Sequence, residues 1–389
     1  MITLKLAFRN LFGAGLRTWL NVSVLSFAFV VIVFVNGLLD GWNKQAYNDT
    51  KEWAAGNGQL WHADYDPYDP YCLQDAHAPV TGKISQLVDS RQITPVLITQ
   101  ASIFPGDGMQ NILLKGIDPS QRIIRIPSES LKASDDLIPA VIGKRMAESA
   151  KLKKGDHILM RWRDKNGTFD AKEIRIEEIF SANVPSIDNG QVWISLNELQ
   201  KITGLDNEAT LFIAGTQYQG GDTDLWKYKD MKFLMKDIDE VMRAKKTSTS
   251  IVYILLLAIA LLAIFDTQVL SIFRRQKEIG TYIALGMTRW KVVKIFTAEG
   301  TALSILSIIL GSAYGIPLLA FLQKTGIPMP KSVDSYGLAI ADKIVPYYSM
   351  GLIMSTVLLV IISATIVSFF PTRKISKINP TEALKGKIQ

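Results

Sequence analysis

Apolar and polar positions alternate along this chain on two different length scales. On the longer scale, residues 22–39, 251–273, 295–322 and 346–370 form nearly unbroken apolar runs. About 20 apolar residues in helical conformation cross a hydrocarbon core of about 30 Å, so each run is predicted to span a membrane. The first run is the shortest, and Trp19, Leu20 and Trp42 flank it as interfacial anchors. Its competing reading is a secretory signal peptide, but that would have an apolar core of about 7–15 residues and a small-x-small cleavage site. No such site closes this run.

On the shorter scale, residues 41–246 contain no further spanning run and read as one mixed α/β unit. Residues 96–103 and 111–116 look like strands separated by the turn formers Pro105-Gly106-Asp107-Gly108. A helix is predicted over 139–151. Residues 158–163 and 169–176 pair as a hairpin around Asn166-Gly167, a strong short-range turn signal. Ser195 and Glu198 have the spacing of a capping box, and Gly204 stands where that helix should stop. A longer helix is predicted over 225–246. Leu225, Tyr228, Met231, Leu234, Met235, Ile238, Val241 and Met242 form a stripe at helical spacing along it. Its nearness to the second span suggests a stalk, with ordinary packing against the domain as the alternative.

The fold class is therefore an α-helical membrane protein with four transmembrane helices and a large mixed α/β extracytoplasmic domain between helices 1 and 2. The expected order is an interfacial helix over 1–17, a span over 18–40 and the outer domain over 41–246. Residues 251–273 and 295–322 then flank a connector, 274–294, and a loop over 323–345 leads to the last span and a tail over 371–389. Arg274, Arg275, Lys277, Arg289, Lys291 and Lys294 face the single acid Glu278 in the connector. Short loops rich in Lys and Arg stay on the cytoplasmic side, which puts both termini inside and the large domain outside.

Composition changes this picture little. Hydrophobic residues make up 48% of the 389, too few for a chain that is all membrane helix. The excess of 43 Lys+Arg over 36 Asp+Glu lies largely beside the apolar runs, as topology signals rather than a nucleic-acid surface. A single cysteine, Cys72, excludes an intramolecular disulfide and a cysteine-based zinc site. His62, His77 and His157 lack metal-ligand or triad spacing. No Gly-x-x-x-x-Gly-Lys-Ser/Thr run occurs, so any hydrolysis that powers the protein comes from a partner, and no catalytic residue, metal or cofactor is assigned to this chain. Two intramembrane acids stand out, Asp266 and Glu299, because a carboxylate in a span is costly and faces protein or a polar cavity. Each is either a proton or substrate site or a packed contact to another helix. Gly311 and Gly315 have the small-x-x-x-small spacing that lets helices approach closely in lipid.

The connector sequence Arg274-Arg275-Gln276-Lys277-Glu278-Ile279-Gly280-Thr281-Tyr282-Ile283-Ala284-Leu285-Gly286-Met287-Thr288-Arg289, followed by Glu299-Gly300, resembles the signature of FtsX-like permeases of ABC transporters, the MacB and LolC/LolE superfamily. Leu114-Lys115-Gly116-Ile117-Asp118-Pro119, Val141-Ile142-Gly143-Lys144-Arg145-Met146-Ala147 and Lys154-Gly155-Asp156 resemble that superfamily's periplasmic core domain. Asn379-Pro380-Thr381-Glu382-Ala383-Leu384 resembles its usual ending. The resemblance implies a bacterial inner-membrane permease that works with a second permease, identical or homologous, and with two separate ATPase subunits that hold ATP and Mg. It implies an ATPase-coupling site at Lys277, Glu278, Ile279, Tyr282, Ile283, Leu285, Gly286 and Met287, where Ile279, Tyr282 and Ile283 would enter a partner groove. MacB carries its ATPase in the same chain and this chain does not, which favours a LolC/LolE-like role in extracting lipoproteins for a periplasmic carrier. MacB-like efflux and FtsX-like signalling to a cell-wall hydrolase are the alternatives. Acyl chains would then meet membrane lipid-facing side chains of the first span, Phe27, Phe29, Val30, Phe34 and Val35. Tyr253, Leu256 and Leu257 would receive them in the second span, with Met231 and Met235 beyond.

Overall fold

The computed structural model describes residues 16–106, 108–132, 137–182, 185–223, 225–328 and 343–377. The stretch expected to lie along the inner surface, most of the 323–345 loop and the Asn379–Leu384 motif fall outside these. Two units are distinguished, one of residues 1–42, 241–327 and 345–389 and the other of residues 43–240 and 328–344.

The second unit is built on one nine-stranded sheet. In chain order its strands are β1 (Gly58–His62), β2 (Ile93–Phe104), β3 (Gln110–Ile117), β4 (Ile138–Gly143), β5 (His157–Arg163), β6 (Phe169–Phe180), β7 (Gln191–Ser195), β8 (Leu211–Ala214) and β9 (Trp226–Asp230). Their spatial order is β9-β1-β8-β2-β3-β7-β4-β6-β5, and β5 also pairs with β2. β2 makes this possible by changing partners along its length: Ile93–Val96 pair with β8, whereas Ala101–Phe104 pair with β5. Six strands thereby close on themselves as a barrel. Strict alternation fills it: on β5, Ile158, Met160 and Trp162 point inward while His157, Leu159, Arg161 and Arg163 stay exposed. Leu97, Ile103, Leu114, Ile138, Ile174 and Ile194 complete the same core.

The two hairpins expected from Pro105–Gly108 and from Asn166-Gly167 form as antiparallel pairs, β2 with β3 and β5 with β6. Three local expectations are corrected. The helix expected over 139–151 is a strand, β4, whose six residues are all buried, followed by a short helix, Lys144–Ala150. A continuous apolar run suits a strand buried on both faces as well as it suits a helix. Asp188 finishes the junction, accepting from the amide of Lys144 at 2.8 Å and that of Arg145 at 3.3 Å. The stripe from Leu225 begins as β9, antiparallel to β1, with Trp226 buried edge-on against Phe212 at 4.7 Å; helical structure starts only at Met231. At Ser195 the helix Leu196–Thr203 does begin, but the serine side chain makes no capping bond; Gly204 ends the helix in the left-handed conformation at φ 73°.

The first unit holds most of helices α1 (Leu16–Thr50) and α2 (Lys236–Arg274), and all of α3 (Gln276–Ala284), α4 (Arg289–Thr325) and α5 (Met350–Thr372). All but α3 are long and apolar enough to cross a membrane. At 1.5 Å per residue, the 39 residues of α2 reach about 58 Å, well beyond a hydrocarbon core, without a break where stalk and span were expected to meet. Small residues set the contacts. A Cβ on Gly311 would lie 3.0 Å from Phe29, and one on Gly315 2.9 Å from Val30, so the small-x-x-x-small spacing joins α4 to α1 within this chain. α4 and α5 meet at Gly300, against Ser368, and through threonine pairs 301–365 at 2.9 Å and 297–372 at 3.0 Å. Asn21 of α1 donates to Thr267 and to the Ala263 carbonyl on α2.

Candidate functional site

The connector between α2 and α4 is the point where the sequence signature and the geometry meet. α2 ends at Arg274, Arg275 leaves helical geometry at φ −103° and ψ 22°, and α3 restarts at Gln276. Gly286 closes α3 in a left-handed turn, φ 87°. The amide of Met287 reaches the carbonyl of Tyr282 and that of Gly286 reaches Ile283, both at 3.0 Å. This is the Schellman ending, which brings an apolar residue after the cap onto one in the last turn, and Met287 and Tyr282 do join the same apolar cluster.

That cluster covers part of the expected docking face. Ile279 is fully buried among Ile272, Val292, Val293, Phe296 and Ile375, with Tyr282 and Ile283 packed beside it. The apolar side of α3 is thus largely covered by the chain's own helix ends, with Tyr282 and Ile283 only partly exposed. The side left open carries Lys277, Glu278, Thr281 and Ala284, and then Leu285, Gly286 and Trp290. Leu285 is 80% exposed.

Arg275 ties the connector to α4. Its guanidinium lies 4.8 Å from the centre of the Phe296 ring and donates to Glu278 at 2.8 Å and to Glu299 at 3.0 Å. Glu299 is buried and accepts one N–H from Arg275, whose planar guanidinium divides its donors between the two carboxylates. Glu299 thus makes a contact to Arg275 at the junction of α2 and α3. Asp266 differs: it lies exposed on the outer face of α2.

The side chains expected to receive acyl chains are placed unevenly. Val30 and Leu257 are buried in one interior cluster with Phe29, Ala260 and Ile264, and Met231 and Met235 pack on Ala55. These four are internal packing. Phe34, Val35, Tyr253 and Leu256 keep part of their surface, and Phe27 is exposed.

On the mixed α/β unit, the barrel seam presents a feature that strand alternation could have disclosed. Arg161 lies between the rings of Phe104 and Phe169, 5.5 and 5.3 Å from their centres, and Arg163 lies 5.8 Å from Phe169. This ladder borders a groove of about 850 Å³ that Tyr71 and Lys165 also line. On β3, the half-buried Lys115 extends over Trp193 at 5.1 Å, and burial of its amine pushes it down from 10.5 to about 8.

Comparison with known proteins bears on the helical half most directly. The FtsX-like permease C-terminal family model matches residues 250–380. The lipoprotein-releasing system transmembrane protein LolC of Xylella fastidiosa is 21% identical, over 74% of this chain and 76% of its own length. An uncharacterized ABC transporter permease of Methanocaldococcus jannaschii is 26% identical over 56% of each chain. The periplasmic region of MacB from Actinobacillus actinomycetemcomitans superposes with a TM-score of 0.32 at 10% identity, covering 48% of this chain and 94% of that structure. A score that low carries no argument about the fold.

Proposed function

We propose that this chain, whose residues 250–380 match the FtsX-like permease C-terminal family and which resembles LolC at 21% identity, is an ABC-transporter permease that converts ATP hydrolysis on partner subunits into lipoprotein extraction from the outer leaflet of the inner membrane. In this reading two ATPase subunits hold the ATP and Mg, a second permease completes the membrane part, and a periplasmic carrier receives the cargo. Both termini lie in the cytoplasm and the mixed α/β unit in the periplasm.

The observation that carries the reading is the connector. α3 is anchored to the inner ends of α2, α4 and α5 by Ile279, Phe296 and Ile375, while Leu285 and Trp290 on the same connector remain exposed. A partner that grips the exposed side moves an element already locked to the spans. α2 then transmits that motion as one unbroken helix of 39 residues. Extraction needs such work, since each acyl CH₂ brought into water costs about 0.8 kcal/mol.

Cysteine cross-linking from Thr281 and Ala284 should reach an ATPase subunit. Photo-crosslinkers at Phe34 and Tyr253 should form adducts with an acylated protein that disappear on ATP addition. Adducts with phospholipid alone would remove the reason for choosing lipoprotein cargo. For orientation, a membrane-impermeant thiol reagent should label the partly exposed Cys72 from the periplasmic side only.

The carrier's dock in this reading is the aromatic-arginine ladder of the barrel seam, since arginine and aromatic side chains are the usual anchors of protein interfaces. Replacing both Arg161 and Arg163 with alanine should weaken carrier capture by about thirtyfold, which corresponds to losing anchors of ~2 kcal/mol. Surface plasmon resonance against the carrier checks this, and unchanged capture would move the dock elsewhere.

A further inference from the structure

The mixed α/β unit holds a second cavity, apart from the groove beside the arginine ladder. Its volume is about 740 Å³, and it lies where four stretches converge: residues 51–57, the end of the helix Gly82–Asp89 with the start of β2, the loop after β3 and the loop after β8. Among the described residues, three cations and three acids border it. They are not equivalent. Glu52 is tied to Arg125 at 2.9 Å, and Asp118 accepts from the amide and the hydroxyl of Ser120 at 2.8 and 2.9 Å. The side chains of Lys51, Arg91 and Arg122 have no acceptor among the described residues, and that of Asp89 has no donor. Thr94 lines the same cavity and is buried, with 4% of its surface exposed, yet its hydroxyl makes no hydrogen bond to the described residues. Buried hydroxyls are normally paired, so the partner of this one is to be sought in the cavity. Arg91 has a further peculiarity. Its amide reaches the Val88 carbonyl at 2.8 Å and that of Gln92 reaches Leu87 at 3.0 Å, a Schellman ending that holds Arg91 in the left-handed conformation, φ 57°. Glycine adopts that conformation freely and a residue with a Cβ does not, so arginine lowers stability here while bringing a cation to the cavity.

We propose that this cavity binds a phosphate ester that carries an ammonium group. Guanidinium groups match phosphate oxygens in pairs and lysine adds a point charge. The Thr94 hydroxyl supplies a neutral donor, and Asp89 takes the ammonium end. Sites for small organic ligands run from about 300 to 1,000 Å³, so the cavity has room for the body of an ester besides its phosphate. A soluble glycerophosphate ester and the headgroup of a diacyl phospholipid share this chemistry. The site involves neither the connector nor the arginine ladder, and stands whatever the cargo is.

Isothermal titration of the full-length chain in detergent tests this, with inorganic phosphate, glycerol 3-phosphate and glycerophosphoethanolamine as probes. Saturable binding is expected, tightest for glycerophosphoethanolamine. Arg91→Gly should weaken it about tenfold, the loss of one charged hydrogen bond, while raising the melting temperature because the left-handed turn is relieved. Affinity and stability moving in opposite directions separate binding from folding. Thr94→Val should weaken both esters several-fold, and Asp89→Asn only the one with the ammonium group. A photoactivatable phosphatidylethanolamine that labels the wild type but not Arg91→Gly identifies the lipid headgroup as the source. Labelling that ignores the substitution, beside saturable binding of the free ester, identifies the soluble ester instead. No saturable binding of either ester, or affinities untouched by Arg91→Gly and Arg122→Gln, overturns the proposal.

Discussion

An Arg275→Ala permease should still hydrolyse ATP with its partners while losing nearly all of its periplasmic activity. Removing the guanidinium leaves Glu299 buried without its charge partner, and breaking one side of a buried ion pair costs about 3–5 kcal/mol. That cost falls on the junction where α3 is fastened to α4, so the connector should detach locally before the spans unfold. Arg275→Lys should rescue little, because an ammonium cannot present the planar fork that reaches Glu278 and Glu299 together. The decisive variant is the double change Arg275→Met with Glu299→Met. Replacing both members of a buried pair by apolar side chains is often neutral for stability, so normal melting should return. If periplasmic activity returns with it, the pair is only structural. If melting recovers and activity does not, the ionic tie itself transmits the stroke. ATPase rate and cargo release in reconstituted vesicles, read side by side, separate the two.

Lys115→Met should stabilise the barrel substantially, and the gain should depend on pH in a defined window. The amine sits at about 8 in the folded chain against 10.5 ordinarily, because burial disfavours the charged form. Below about pH 8 both folded and unfolded chains carry the proton, and the folded state bears the full cost of the buried charge. Between 8 and 10.5 the unfolded chain binds more protons, so wild-type stability rises with pH. The Met variant's advantage is therefore largest and flat below pH 8 and fades toward pH 10.5. It reaches at most about 3.5 kcal/mol, because each tenfold loss of proton affinity on folding is worth about 1.4 kcal/mol. Hydrogen exchange at the amides of β3 and β7, followed from about pH 6 to pH 10, measures it. An advantage that does not change with pH would mean that packing, and not charge, is responsible.

Much of this architecture is legible in the sequence because its determinants are local. Asn166-Gly167 specifies its hairpin, and length with apolarity specifies the four long helices. What stays hidden is decided by distant chain. Barrel closure depends on Ala101–Phe104 meeting Leu159–Trp162, a pairing no short-range signal announces. Leu225, Tyr228 and Met231 fit a helical period, yet β1 was there to pair with residues 226–230 and bury Trp226. The connector was legible as an element but not in its sidedness. Ile279 and Tyr282 mark an apolar face without saying what covers it, and Ile375, nearly a hundred residues later, is part of that cover. Inside the membrane the ambiguity is greater still, since Val30 and Leu257 are as apolar as their lipid-facing neighbours and hydropathy carries no direction.

The change of partner along β2 has a consequence for crowding. Since that strand is paired along both margins, the barrel closes instead of ending in a long row of unpaired amides and carbonyls, and β9 ends the sheet at its other limit. An open margin of that kind is where identical domains add strands to one another and aggregate, and charged side chains, lysine above all, discourage it. β9 is short and carries the exposed Lys227, with Lys229 lying across the rings of Trp61 and Phe233. Two such domains can be held side by side at high local concentration without their sheets fusing into one.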